Sequence, residues 1–170
     1  MRATMAMAAA GLMLAAGSAA AAAPLTYDCD TNEGSFSELS QVQAGPAYHV
    51  RGTITPLRWA EDRRWAPSAQ ARLENGSRSI AVRIMRAPRE PQATFSIEVT
   101  DGGEPQTTVL GRVGLNEALP FDLSLAASGD AAVQVGTERR TFHLDLGPNA
   151  KASVVCSTGD FLFGELDLGG

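Results

Sequence analysis

Between residues 119 and 146 the chain alternates apolar and polar side chains almost without interruption. Phe121, Leu123 and Leu125 alternate with Asp122, Ser124 and Ala126. After the turn Ser128-Gly129-Asp130, Val133 and Val135 alternate with Ala132, Gln134 and Gly136. A second polar turn is read at Thr137-Glu138-Arg139-Arg140, and Phe142, Leu144 and Leu146 then alternate with Thr141, His143 and Asp145. A strand sends successive side chains to opposite faces, so a period of two broken by Gly and polar clusters specifies half-buried antiparallel strands. The 3.6-residue period of an amphipathic helix is absent beyond the N-terminal segment.

The remaining chain follows the same pattern. Strands are expected at 25–29, 35–41, 47–55, 68–74, 78–86, 93–100, 107–115, 151–157 and 160–168. Within 47–55, Tyr48, Val50 and Ile54 take one face, His49, Arg51 and Thr53 the other, and Gly52 marks a bulge or a close approach. Asn75-Gly76 is a two-residue hairpin signal. The longest irregular stretch is 56–67, which holds both tryptophans. About eleven or twelve short strands at such spacing imply a sandwich or barrel.

Residues 1–22 read as a secretory signal peptide. Arg2 precedes an apolar run that is shorter than the ~20 residues of a membrane span, and an Ala tract with A-x-A sites follows. Pro24 disfavours cleavage after Ala23, which places the cut after Ala22 and leaves 23–170 as one domain. The expected location is the periplasm or the exterior of a bacterium, since 13 of the 14 basic residues are Arg, Lys151 is the only lysine and Ala and Gly are abundant, as GC-rich coding favours. No later segment is apolar enough to span a membrane as a helix. The 14 Lys and Arg are interspersed among 19 Asp and Glu. Nucleic acid needs a basic cluster and is not an expected partner. In an oxidising compartment the isolated pair Cys29 and Cys156 is expected to form one disulfide; thiol redox or metal chemistry favours C-x-x-C spacing, which is missing here.

Two stretches carry a family resemblance: Gly52-Thr53-Ile54-Thr55-Pro56, and Phe121-Asp122-Leu123-Ser124-Leu125 running through Gly129 to Val133-Gln134-Val135-Gly136. In these the chain resembles the concanavalin A-like lectin/glucanase superfamily, which includes laminin-G-like modules. The resemblance covers about two-thirds of the chain after the signal segment, and its motifs are generic to β-sandwiches. It implies an all-β fold, an antiparallel β-sandwich of jelly-roll type. An immunoglobulin-like sandwich is the main rival, with fewer strands.

Among candidate sites, Trp59 and Trp65 offer flat aromatic faces on which sugar rings stack, and the neighbouring Arg58, Arg63 and Arg64 offer donors for hydroxyl groups. The opposing reading folds both indoles back as lids on the core. Asp28, Asp30 and Asn32 supply oxygens at alternate positions, as calcium loops do. However, Gly34 falls one place late for such a loop and Leu39 stands where a bidentate Glu belongs, so no metal and no other cofactor is assigned. Glu165 and Asp167 match the first two positions of the Glu-x-Asp-x-x-Glu motif of laminarinase-like hydrolases, but Leu168-Gly169-Gly170 fills the remainder. His49 and His143 fall on the polar phase of their strands with no nucleophile nearby. No catalytic residue is assigned. The expected function is an exported non-catalytic module for a carbohydrate or cell-envelope component. The alternatives are a structural or protein-interaction domain and, behind it, a glycoside hydrolase-like enzyme.

Overall fold

The computed structural model describes residues 23–60 and 64–169. The expected signal segment 1–22 and Arg63 lie outside the described residues. Among those described, every regular element is a strand: β1 (Leu25–Asp30), β2 (Phe36–Val42), β3 (Tyr48–Trp59), β4 (Ser68–Asn75), β5 (Arg78–Met85), β6 (Ala93–Asp101), β7 (Gln106–Val113), β8 (Leu119–Leu125), β9 (Asp130–Val135), β10 (Glu138–His143), β11 (Lys151–Ser157) and β12 (Gly159–Asp167). They form two six-stranded antiparallel sheets. The first has the order β1-β12-β3-β8-β9-β10 and the second β2-β11-β4-β5-β6-β7.

The period-two pattern explains the layering. Val50, Ile54, Leu123, Val133, Phe161 and Phe163 point inward from the first sheet, and meet Leu73, Ile80, Val82, Ile84, Ile97 and Val154 from the second. Burial of each such side chain contributes about 1.5–3 kcal/mol relative to exposure. Asn75-Gly76 closes the β4–β5 hairpin, with Asn75 opposite Arg78 and Gly76 at φ +59°. Gly52 marks a close approach. A Cβ there would stand 2.8 Å from the Gly164 carbonyl oxygen, where β12 bulges between Gly164 and Asp167. Cys29 on β1 and Cys156 on β11 are disulfide-bonded and join the two sheets.

Two sequence expectations need correction. The turn read at Thr137-Glu138-Arg139-Arg140 is shorter, because Glu138, Arg139 and Arg140 pair with Val135, Gln134 and Val133 as the start of β10. β10 is an edge strand, and one solvated face and edge accommodate charges that mimic a turn in sequence. The irregular stretch at 56–67 is also shorter, because β3 continues through Pro56 to Trp59. The β8 ladder ends at Ile54; beyond it the Pro56 carbonyl still accepts from the Asn116 amide (2.8 Å), but no ladder partner asks residue 56 for an N–H, so proline is tolerated there.

Candidate functional site

The two loop candidates meet at one end of the sandwich. Thr31 donates its amide to the Gly159 carbonyl (2.8 Å) and Gly34 donates its amide to Thr158 Oγ1 (3.3 Å). These bonds and the disulfide hold the β1–β2 turn against the β11–β12 turn. Thr31, Asn32, Glu33, Arg58, Trp59 and Ala60 line a shallow depression of about 440 Å3 there.

The two indoles have different roles. Trp59 packs edge-on against Phe161, with ring centroids 5.7 Å apart, and is partly buried on the core. Trp65 is 56% exposed and lies over Gly34, with Nε1 3.2 Å from where a Cβ on that glycine would be. Trp65 therefore has the geometry of a contact residue and Trp59 that of a lid. Arg58 donates to Asp30 Oδ1 at 2.6 Å, and Arg64 is exposed. Asp30, Asp160 and Arg58 stand side by side on β1, β12 and β3. Burial, then repulsion from Asp30 and Asp28, push the Asp160 carboxyl above the usual carboxylate range despite the nearby Arg58. Among the described residues no group of three or more His, Cys, Asp or Glu is placed to hold a metal ion.

The outer faces of the two sheets differ. On β8 the outward Pro120, Asp122 and Ser124 are exposed, as expected of a solvated sheet. On the second sheet, the outward side chains of β11, β4, β5 and β6 are all at least half-buried. Ser153, Ala81 and Ser96 point away from the core and yet are 0%, 4% and 7% exposed. The register supplies the reason. Ser153, Arg72, Ala81 and Glu98 form one row across the sheet, and Val155, Gln70, Arg83 and Ser96 the next. In the first row small residues alternate with long ones, and in the second Ser96 lies beside Arg83; the stems of the long residues cover the small ones. Arg72 donates from Nε to Ser153 Oγ (3.2 Å) and lies 3.1 Å from Glu74; Arg83 donates to Glu98 (2.7 Å). Lys151 reaches both Glu74 (2.7 Å) and Glu38 (2.9 Å), and these bonds raise its pKa above the ordinary lysine value. The result is a polar face on which long side chains, already held in place, cover the small residues between them. Phe36, 72% exposed, stands at the end of this face beside Ser157, and Trp65 precedes Ser68 at the same end.

The hydrolase candidates sit elsewhere, on the first sheet. Glu165 is exposed in the β12 bulge at φ +49°. Asp167 accepts from Arg51 (2.9 Å), from the Gly169 amide (2.9 Å), and lies 3.2 Å from His49 Nε2. Burial raises its pKa, but these three partners outweigh burial and hold it below the usual range. His143 is three strands from His49, beside Asp130 at 3.5 Å. The two histidines are not brought together. A further cavity of about 410 Å3 lies at the other end of the sandwich, between Gly45-Pro46 and Leu144 to Pro148; its carboxylate, Asp145, caps the Gly147 amide (2.8 Å).

Sequence reasoning did not identify Gln70, Arg72, Arg83, Glu98 and Lys151 as site residues. Their signal was present as the polar phase of strands 68–74, 78–86, 93–100 and 151–157. Which strands neighbour each other, and in what register, is a long-range property that alternation does not encode.

No protein-family model matches the chain, and no curated protein matches it by sequence. Solved structures do match in fold. An alginate lyase from Pseudomonas aeruginosa aligns with a TM-score of 0.54 and 17% identity over 72% of this chain, which spans 64% of that one. The carbohydrate-binding module CBM66 from Bacillus subtilis aligns with a TM-score of 0.51 and 8% identity, covering 82% of this chain and 83% of the module. The Emp46p carbohydrate recognition domain aligns at 0.53 and 7%, covering 83% and 86%. At these identities the likeness establishes the fold: an antiparallel β-sandwich of the concanavalin A-like jelly-roll type, as the sequence resemblance implied.

Proposed function

We propose that this chain is an exported, non-catalytic module that binds carbohydrate across the outer face of the second sheet, with Trp65 as a stacking platform at one end. The observation that carries the reading is the polar face of β11, β4, β5 and β6, where paired Arg, Lys and Glu side chains are fixed over Ser153, Ala81 and Ser96 and no further layer covers them among the described residues. Sugar recognition uses planar polar groups fixed before the ligand arrives, because ordering long side chains costs about 0.5–1.5 kcal/mol each. Here Arg72, Arg83 and Lys151 are already held by Glu74, Glu98 and Glu38. The carbohydrate-binding modules and lectin domain among the fold neighbours support the reading as analogy only. Export rests on the sequence of residues 1–22.

Catalysis is not part of the proposal. The carboxylates on this face are engaged by cations, and Asp167 on the other sheet is tied to Arg51. A second reading, a protein-interaction domain, is favoured by the edge strand β2, where Phe36 and Val42 are strongly exposed.

The test is a tryptophan-fluorescence titration of residues 23–170 with polysaccharides and envelope glycans. The binding reading expects a saturable change that Trp65→Ala abolishes and Arg72→Ala weakens about tenfold, the loss of a charge-assisted hydrogen-bonding group. A flat titration alongside stable self-association or capture of an envelope protein supports the interaction reading instead.

A further inference from the structure

The charges on the outer face of the second sheet define the ligand more narrowly. This inference rests on the binding face proposed above. Three cations stand on it, Lys151, Arg72 and Arg83, and three carboxylates, Glu38, Glu74 and Glu98. Each cation lies within 3.1 Å of a carboxylate oxygen, and Lys151 touches two. A polymer of uronic acids or sulfated sugars carries a negative charge on many residues. To bind here it would bring that charge against Glu38, Glu74 and Glu98, or first strip the carboxylates from their cations. Removing one partner of a part-buried pair leaves the other exposed to the full desolvation penalty. A neutral glycan meets no such barrier. A vicinal pair of hydroxyls donates to one carboxylate oxygen and accepts from the adjacent guanidinium, so an Arg–Glu pair serves a diol without being opened.

We infer that the ligand is a neutral, hydroxyl-rich glycan, and that this paired face discriminates against polyuronates of the kind that the alginate lyases sharing this fold act on. The chain's acidic balance, 19 Asp and Glu against 14 Lys and Arg, adds long-range repulsion toward polyanions in the same direction. Arg112, opposite Thr94 at the β7 edge, lies on the margin of the face and adds one cation at its rim.

The experiment is binding of residues 23–170 to a glycan array of neutral, uronic-acid and sulfated oligosaccharides, with calorimetry on the hits at about 0.02 and about 0.5 M salt. The inference predicts hits among neutral glycans whose affinity changes less than about twofold with salt, since no net charge is neutralised. Glu98→Gln is expected to weaken such a hit about tenfold, because it replaces a charged two-oxygen acceptor by an amide with a single neutral oxygen. Hits confined to uronic or sulfated glycans, lost about tenfold or more in high salt and strengthened by Glu98→Gln, would overturn the inference while leaving the carbohydrate-binding reading standing. No hit of any class by a chain that is folded in circular dichroism would overturn both.

Discussion

The indole of Trp65 rests on the backbone of Gly34, with Nε1 3.2 Å and Cδ1 3.4 Å from the position of a Cβ on residue 34. Gly34 also sits at φ +71°, a region in which a side chain costs about 1–2 kcal/mol. Both effects act on Gly34→Ala in the same direction. The variant is expected to lose about 1–2 kcal/mol in urea unfolding and to shift tryptophan emission, because the ring must move from its seat. Unchanged stability and emission would show that the indole does not rest there.

The two tryptophans are expected to separate in mutagenesis. Trp59 packs on Phe161, so Trp59→Ala should destabilise by about 3 kcal/mol. Trp65 is mostly exposed, and Trp65→Ala should cost under about 0.5–1 kcal/mol. Emission spectra give a second check: the variant retaining only Trp59 should emit to the blue of the variant retaining only Trp65.

Cys29 and Cys156 are bonded across 127 residues and between the two sheets. The chain-entropy model assigns so long a loop about 5 kcal/mol, and native disulfides deliver about 2–5. The double variant Cys29→Ser, Cys156→Ser should therefore melt roughly 10 °C lower. Intact mass after alkylation, with and without reductant, checks the bond itself: two thiols alkylated without reductant would contradict it.

Asp160 and Asp167 should give opposite pH signatures. The folded-state pKa of Asp160 is raised, chiefly by burial and by Asp30 and Asp28, so its charge opposes folding above that pKa and ceases to matter in acid where both states are protonated. Asp160→Asn should raise the melting temperature near neutrality, with the gain disappearing as pH falls to the ordinary carboxylate range. Asp167 is lowered: burial is outweighed by Gly169, His49 and Arg51, so its contribution is present above the ordinary carboxylate pKa and is lost as pH falls through the folded value. Asp167→Asn should lower the melting temperature near neutrality. Melting curves of both variants from pH 3 to pH 8, about the span over which carboxylates titrate, test the signs.

How much of this was legible in the sequence follows from the range of each interaction. Tyr48, Val50 and Ile54 against His49, Arg51 and Thr53, and the Asn75-Gly76 hairpin, are local patterns, and the structure reproduces them. The run Glu138, Arg139, Arg140 was misread because an edge strand and a turn make the same demand for charge. Pro56 was misread because whether a strand tolerates proline depends on which neighbour bonds it. The paired polar face depends on Ser153, Arg72, Ala81 and Glu98 coming level on four strands drawn from residues 68 to 157, a coincidence of register with no local signature. Trp65 was visible as a candidate, but its exposure was not, since that depends on Gly34 lying beneath it.

The most direct test of the central claim is chemical-shift mapping of the 15N-labelled chain as an array-selected oligosaccharide is added. The account predicts that perturbations concentrate on the amides and side-chain resonances of Gln70, Arg72, Arg83, Glu98 and Ser153 and on the Trp65 indole N–H. It predicts that Asp122, Ser124 and Gln134 on the opposite sheet stay in place. Shifts centred on the first sheet, or on the cavity between Gly45 and Pro148, would contradict it and move the site to the other side of the sandwich.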